Sequence, residues 1–513
     1  MLKGGKMYSK IYSATIRGVT MEIITVETDV SDGLPSFEMV GLLNSEVKEA
    51  KERVRAAIKN TGYILPPKRI TVNLSPADIR KEGSCFDLPI AIGILCSLGL
   101  INMEEKETHI LVAGELSLSG KVVAMNGVLP MVLAAREKGI RRFVVPKDNA
   151  KEAAIVEGVE IYGVDNLRET IELFNGSCTK KQQYIDFNTM YKEYFRADSH
   201  NLDFADIQGQ EVVKRAAEVA TAGMHNILLV GSPGSGKSMI AKRIAGILPK
   251  PDMEECLEIT KIHSIAGELG GQSVKLVRPF RSPHHTITDK ALVGGGSNPR
   301  PGEVTLAHNG VLFLDELAEF KREAIDALRQ PLEEGNVTIN RIGGTYEFPA
   351  NIMLVAATNP CKCGYYPDRS RCNCSELQVK SYMGKISGPV LDRIDICVHT
   401  PPVKVDELGK NSGDTTKDIQ KRVERAREIQ RERYAGEQYK FNSQMPSAHA
   451  QKYCPLGVDE TRIMNMAYNS FGLSVRAYYK ILRVARTIAD IEGCENISQQ
   501  HIAEAIGYRT ELT

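Results

Sequence analysis

The chain of 513 residues contains no tryptophan, and aromatic residues make up only 6% of it. That removes one common stacking residue but excludes no function class. Charge of either sign is not in excess: 65 Lys and Arg stand against 64 Asp and Glu, a net charge of +1. A uniformly basic nucleic-acid coat and an acidic, halophile-like surface are excluded. A local basic face or a basic channel is not. Long hydrophobic runs are missing too. The longest charge-free apolar stretch, Leu88 to Ile101, is fourteen residues. A membrane-spanning helix needs roughly 18 to 20, so this stretch reads as a buried helix. The N-terminus, MLKGGKMYSKIYSATIRG, has charges but no apolar segment of the signal-peptide kind. A soluble, cytoplasmic chain is expected. Eleven cysteines, an odd count without a secretory signal, argue against a disulfide scaffold.

What is present is ordinary globular material, 42% hydrophobic and 25% charged. At roughly 150 residues per domain the prior is about three domains. Up to about residue 175, strand-like stretches (IYSATIRGV, MEIITVETDV, RITVNLSP, HILVAGELSLSG, RRFVVP) alternate with helix-like ones. Val47, Ala50, Val54, Ala57 and Ile58 recur at helical spacing. Residues 176–203 are polar, with Lys180, Lys181, Gln182 and Gln183 and no clear period, and read as a linker. The aromatics Tyr184, Phe187, Tyr191, Tyr194 and Phe195 suggest that it packs on something. Residues 204–400 form an α/β block with strand–loop–helix signals, and residues 401–513 an all-α block.

Gly231-Ser232-Pro233-Gly234-Ser235-Gly236-Lys237-Ser238 fits the G-x-x-x-x-G-K-[ST] phosphate-binding loop. The apolar run NILLV precedes it and a helix pattern follows, the required order. Glycines let backbone N–H groups converge on phosphates. The helix N-terminus adds positive potential, Lys237 adds a point charge, and Ser238 can hold Mg²⁺. About eighty residues on, Gly310-Val-Leu-Phe-Leu-Asp315-Glu316 is an apolar strand ending in two acids. Asp315 suits a Mg²⁺ water shell and Glu316 the attacking water. Asn359 ends a third apolar run. Alone it is an Asn-Pro turn; beside the other two elements it suits the γ-phosphate or the lytic water.

This set resembles the AAA+ ATPases. Phe204-Ala-Asp-Ile-Gln-Gly-Gln210, Arg278-Pro-Phe-Arg-Ser-Pro-His-His-Thr286, Gly294-Gly-Gly, Pro301-Gly-Glu-Val, Gly388-Pro-Val-Leu-Asp-Arg393-Ile-Asp395 and Leu473-Ser-Val-Arg476-Ala narrow it. They resemble the magnesium-chelatase-like branch, which carries a helix-2 insertion, placed here within residues 260–296. From about Tyr8 to the C-terminus the pattern is similar to the YifB/ComM family. The first six residues fall outside it, and Met7 is a plausible start. The resemblance implies a P-loop AAA+ parallel-sheet core and an all-α C-terminal lid. It makes Arg393 an arginine finger that reaches the neighbouring subunit's nucleotide, and Arg476 a sensor-2 residue, in cis or in trans. Catalysis would thus fall to Glu316, Asn359, Arg393 and Arg476. An arginine supplied in trans makes hydrolysis depend on assembly, and hexameric rings are the family norm. The alternative for Arg393 is a structural salt bridge with Asp392 or Asp395.

The first block, 1–175, resembles the Lon protease domain, through Lys81-Glu-Gly-Ser-Cys85-Phe-Asp-Leu-Pro89, Gly114-Glu-Leu-Ser-Leu-Ser-Gly-Lys-Val and Asn126-Gly-Val-Leu129-Pro. The Lon serine falls at Cys85 and the Lon lysine at Leu129. Leucine cannot act as a base, so no protease activity is expected. Cys85 is either a reactive thiol or, as favoured here, a buried structural one. The helix carrying Lys48, Lys51, Arg53, Arg55 and Lys59 either contacts phosphate or is a solvated face, with Glu46, Glu49 and Glu52 interspersed.

Cys361-Lys-Cys363, eight residues, then Cys372-Asn-Cys374 is a C-x-C…C-x-C knuckle. Four thiolates at two hairpin ends can reach one tetrahedral Zn²⁺; free thiols are the alternative. The cofactors expected are ATP, Mg²⁺ and Zn²⁺.

Three cargoes compete. The family resemblance points to DNA, in helicase or branch-migration work during recombination or natural transformation. Arg278, Arg281, Lys290 and Arg300, and the helix Lys417 to Arg433 with seven Lys or Arg against four acids, are the candidate phosphate contacts. A chelatase ATPase subunit that drives metal insertion into a porphyrin is the second. A protein remodeller is the third.

Overall fold

The computed structural model describes residues 8–101, 109–176, 185–196, 202–296, 299–341, 344–402 and 413–509. The chain forms two compact units. The first is Met1–Ala197 with Cys256–Leu276, the second Asp198–Glu255 with Val277–Thr513.

The first unit is built on a seven-stranded mixed sheet. Its order is Ser36–Val40, Arg69–Ser75, Thr20–Ser31, Tyr8–Arg17, Ile110–Val112, Arg142–Pro146, Glu160–Val164. The first hairpin, Tyr8–Arg17 with Thr20–Ser31, is antiparallel, and Gly18 at φ +66° makes its turn. Helix Asp87–Ser97 is buried almost all round, as the apolar run requires. Helix Ser45–Asn60 starts where Asn44 accepts from the Val47 N–H, and it buries Val47, Ala50, Val54, Ala57 and Ile58. Arg53 turns inward from that helix. Its guanidinium donates to both oxygens of buried Asp87 at 2.7 and 3.0 Å. Arg53 is therefore a structural cation and is withdrawn from phosphate contact, whereas Lys48, Lys51, Arg55 and Lys59 stay exposed.

The span read as a periodless linker contains a helix, Phe187–Arg196. Its side chains stack along one face, Phe187 on Tyr191 at 5.6 Å and Tyr191 on Phe195 at 4.7 Å between ring centres. Aromatics four apart are neighbours on a helix, a period hidden by the polar residues between them. Lys180 to Tyr184 lie outside the described residues.

The second unit carries a five-stranded, all-parallel sheet in the order Phe280–Arg281, Val311–Leu314, Met353–Thr358, Ile227–Gly231, Ile396–Thr400. The three central strands are buried throughout, which is why they read as continuous apolar runs rather than alternating ones. A two-stranded ribbon, Asn336–Arg341 with Gly344–Pro349, precedes the strand Met353–Thr358. The longer C-terminal helices are Thr416–Arg433, Val458–Ser470, Val475–Glu492 and Gln499–Gly507. Their apolar faces join one core with the sheet: Val423, Ile481, Ile488 and Ile502 lie in the same buried cluster as Ile227, Leu229 and Val355. No helix among the described residues is long and apolar enough to cross a membrane.

Candidate active site

Parallel strands present their C-terminal ends on one edge, and the loops that follow them build a site there. The strand Ile227–Gly231 ends at Gly231, where a side chain would collide with the Thr400 hydroxyl of the next strand. Ser235 Oγ donates to the same hydroxyl at 3.1 Å, which pins the loop to that strand. Gly234 and Gly236 take φ +78° and +88°, a conformation that side chains disfavour. Gly236 then caps the helix Lys237–Ile247.

Lys237 is 8% exposed, and its Nζ donates to Gly231 O at 2.7 Å, Ser232 O at 2.9 Å and Asn359 Oδ1 at 3.2 Å. All three acceptors are uncharged. Burial lowers the Lys237 pKa, against the pull of Asp315 and Glu316. A buried ammonium held by neutral oxygens fits an anion such as phosphate. Ser238 Oγ donates to Asp315 Oδ2 at 2.6 Å. The P-loop hydroxyl and the strand-end acid thus meet, though 77 residues apart. A hydroxyl and a carboxylate at one point form a hard-oxygen set that suits Mg²⁺. Glu316 follows in a left-handed conformation, φ +54°, with 55% of its side chain exposed and His285 Nδ1 3.5 Å from Oε2. Gly231 to Ser238, Asp315, Glu316 and Asn359 therefore converge.

Arg393 and Arg476 converge elsewhere, on a carboxylate that no motif marked. Arg393 Nη2 pairs with Glu333 Oε2, and Arg476 Nη2 lies 3.5 Å from Oε1 of the same side chain. The expected structural partners of Arg393 do not take it. Asp395 instead pairs with Lys480 at 2.7 Å. Glu333 sits on the short helix Arg329–Glu334, where one acid among several carries no sequence signal.

The four knuckle cysteines meet: their sulfurs lie within 4.8 Å of one another. Cys361 to Cys363 is 3.3 Å, Cys363 to Cys372 3.4 Å and Cys361 to Cys372 3.8 Å. Four thiolates at about 2.3 Å from a tetrahedral Zn²⁺ stand about 3.8 Å apart, so the donor set fits that ion. Burial opposes ionisation of Cys361, but N–H donors from Tyr366 and Gly364 and the thiols of Cys363 and Cys372 bring its pKa down to about 6.

Several expected phosphate contacts are spent inside the fold. Arg278 is buried and donates to Glu255 Oε2 at 2.8 Å and to two backbone carbonyls. Arg281 makes a two-pronged pair with Glu303 at 2.7 and 2.8 Å. In the helix Thr416–Arg433, Arg422 pairs with Glu218 and Asp414, Arg433 with Asp490, and Arg427 is buried. Lys290, Arg300, Lys421 and Arg425 remain exposed. Cys85 is 7% exposed, its thiol donates to Ala14 O at 3.3 Å, and burial pushes its pKa up to about 12. Leu129 is fully buried.

Family models match most of the chain. Residues 203–408 match "Magnesium chelatase, subunit ChlI", residues 26–149 "Subunit ChlI of Mg-chelatase", and residues 413–509 the C-terminal model of the same subunit. The chain is 42% identical over 510 residues to competence protein ComM of Haemophilus influenzae, covering 97% of each. It is 40% identical over 504 residues to YifB of Escherichia coli, covering 98% of this chain and 97% of that one. YifB of Salmonella typhimurium is 39% identical over 501 residues, covering 97% and 96%. With matches along nearly its whole length, the chain belongs to the ComM/YifB family of magnesium-chelatase-like ATPases.

Proposed function

We propose that the protein is a hexameric, Mg²⁺-dependent AAA+ motor that hydrolyses ATP to act on DNA. The observation that carries the ATPase reading is the Ser238–Asp315 contact at 2.6 Å beside the buried Lys237 ammonium. Bound ATP and Mg²⁺ would supply the phosphoryl group and its charge neutralisation. Lys237 and the N–H groups of the loop hold the phosphates, and Ser238 and Asp315 hold the metal. Glu316 orients the attacking water and takes its proton. Asn359 bonds the γ-phosphate or that water. Arg393 completes the site of the neighbouring subunit, which makes the ring the active unit; Arg476 assists from the C-terminal lid.

The DNA reading rests on likeness to competence protein ComM and on exposed cations, among them Lys290, Arg300, Lys421 and Arg425. Branch migration or helicase work is the activity proposed. The first unit serves as a degenerate, non-proteolytic Lon-like module, because buried Leu129 offers no base and the Cys85 thiol is held protonated. Cys361, Cys363, Cys372 and Cys374 hold a structural Zn²⁺. The cytoplasm is the compartment proposed.

The test is steady-state ATPase with and without single-stranded, duplex and four-way-junction DNA, against Lys237→Ala as background. Several-fold stimulation, largest on branched or single-stranded DNA, supports the motor. ATPase indifferent to every DNA overturns the cargo. It then directs attention to a chelatase partner, as the family models' descriptions suggest, or to a protein substrate.

A further inference from the structure

The segment Arg393-Ile394-Asp395 has no regular structure of its own. It joins the short helix Gly388–Leu391 to the strand Ile396–Thr400. It is held from outside at every residue. Asn226 Nδ2 donates to Arg393 O at 2.9 Å. Lys480 Nζ and Arg509 Nη1 donate to Ile394 O at 3.2 and 2.5 Å. Lys480 Nζ also pairs with Asp395 Oδ1 at 2.7 Å, where the side chains are 11% and 10% exposed. The Asn226 N–H donates to Asp395 Oδ2 at 3.2 Å, and His225 Nδ1 lies 3.4 Å from the same oxygen. Burial pushes the Asp395 pKa up, but Lys480 and His225 hold it far below the carboxylate range.

Lys480 stands on the helix Val475–Glu492, one turn beyond Arg476. Residues four apart share a helix face. One face of that helix thus meets the Arg393 segment directly at Lys480 and, by way of Glu333, at Arg476. Lys480 grips its root through Ile394 and Asp395, and Arg476 meets its tip through the shared carboxylate of Glu333. A long arginine aimed at a neighbour's phosphate is accurate only if its backbone is fixed, and a misplacement of about 1 Å costs about a hundredfold in rate.

We propose that Lys480 is a positioning residue for the arginine finger: through Asp395 and the Ile394 carbonyl it fixes the backbone that carries Arg393. This rests on the reading that Arg393 acts on the neighbouring subunit's nucleotide. The consequence is directional. A defect at Lys480 spares the subunit's own nucleotide site and impairs the next one.

The experiment mixes full-length subunits. Lys480→Met alone should lose about tenfold to a hundredfold of ATPase, while its affinity for a fluorescent ATP analogue stays within twofold. Mixed with Glu316→Gln subunits, which keep the finger but do not hydrolyse, Lys480→Met should recover ATPase several-fold above the average of the two alone. Mixed with Arg393→Ala it should recover nothing. Because a lone buried Asp395 can unfold the chain, Lys480→Met/Asp395→Asn is made in parallel, and its melting temperature should return toward wild type with the same mixing pattern. Recovery for Arg393→Ala with Glu316→Gln, but none for either Lys480 variant, overturns the positioning role alone. No recovery even for Arg393→Ala with Glu316→Gln overturns the trans reading and this inference with it. Wild-type ATPase in the double variant also overturns it.

Discussion

Gly364 leans on Pro233: a β-carbon on the glycine would stand 2.5 Å from Cδ of the proline and 2.8 Å from Cγ. Gly364 is the residue after Cys363 in the knuckle, and Pro233 lies inside the phosphate-binding loop. The backbone of the cysteine loop thus walls the proposed nucleotide site, and Asn359, two residues before Cys361, bonds Lys237 from the same side.

Gly364→Ala should therefore weaken nucleotide binding. The residue takes φ +88°, which costs a side chain about 1 kcal/mol, and the alanine methyl must also displace Pro233. We expect the Kd for a fluorescent ATP analogue to rise about tenfold, with metal content unchanged. An unchanged Kd shows that the contact is idle.

Cys363→Ser/Cys372→Ser removes two of the four sulfur donors of the proposed zinc site. One zinc per chain, read by elemental analysis of wild type, should fall to background, and the melting temperature should drop. If metal is lost and ATPase is untouched, the knuckle does not support the nucleotide site.

Lys237→Ala should weaken ATP binding, because it removes the buried cation that the loop encloses. Glu316→Gln should bind ATP and trap it unhydrolysed. Wild-type turnover in Glu316→Gln would overturn its assignment as the residue that activates water.

Asp87 makes a pH-dependent contribution to the first unit. Burial pushes its carboxyl up to about 6, against the pull of Arg53. An unfolded aspartate titrates near 3.9, so the folded state holds the proton more tightly. The contribution is full below about pH 4 and is lost as pH rises through about 6, a change of about 3 kcal/mol. Asp87→Asn has no such loss. Urea unfolding of both proteins at pH 4.5 and 6.5 should show the gap between them shifting in favour of the asparagine at the higher pH. A constant gap refutes the shift.

Much of this molecule is determined by local sequence. The phosphate loop is legible because its chemistry is a contiguous backbone conformation, with glycines at two left-handed positions and a lysine and a serine at the helix start. The central strands are legible because burial on both faces demands unbroken apolar runs. The knuckle is legible because its cysteines lie in two closely spaced pairs. Other features are decided only by tertiary structure. Whether Arg53, Arg278, Arg281 or Arg433 faces solvent or a buried carboxylate depends on partners 34, 23, 22 and 57 residues away. A charge pattern does not say which cations are already paired. The meeting of Arg393 and Arg476 at Glu333, the grip of Lys480 on Asp395 and the lean of Gly364 on Pro233 are likewise contacts between distant segments. Each depends on where packing brings two side chains together, and neither partner carries that information alone.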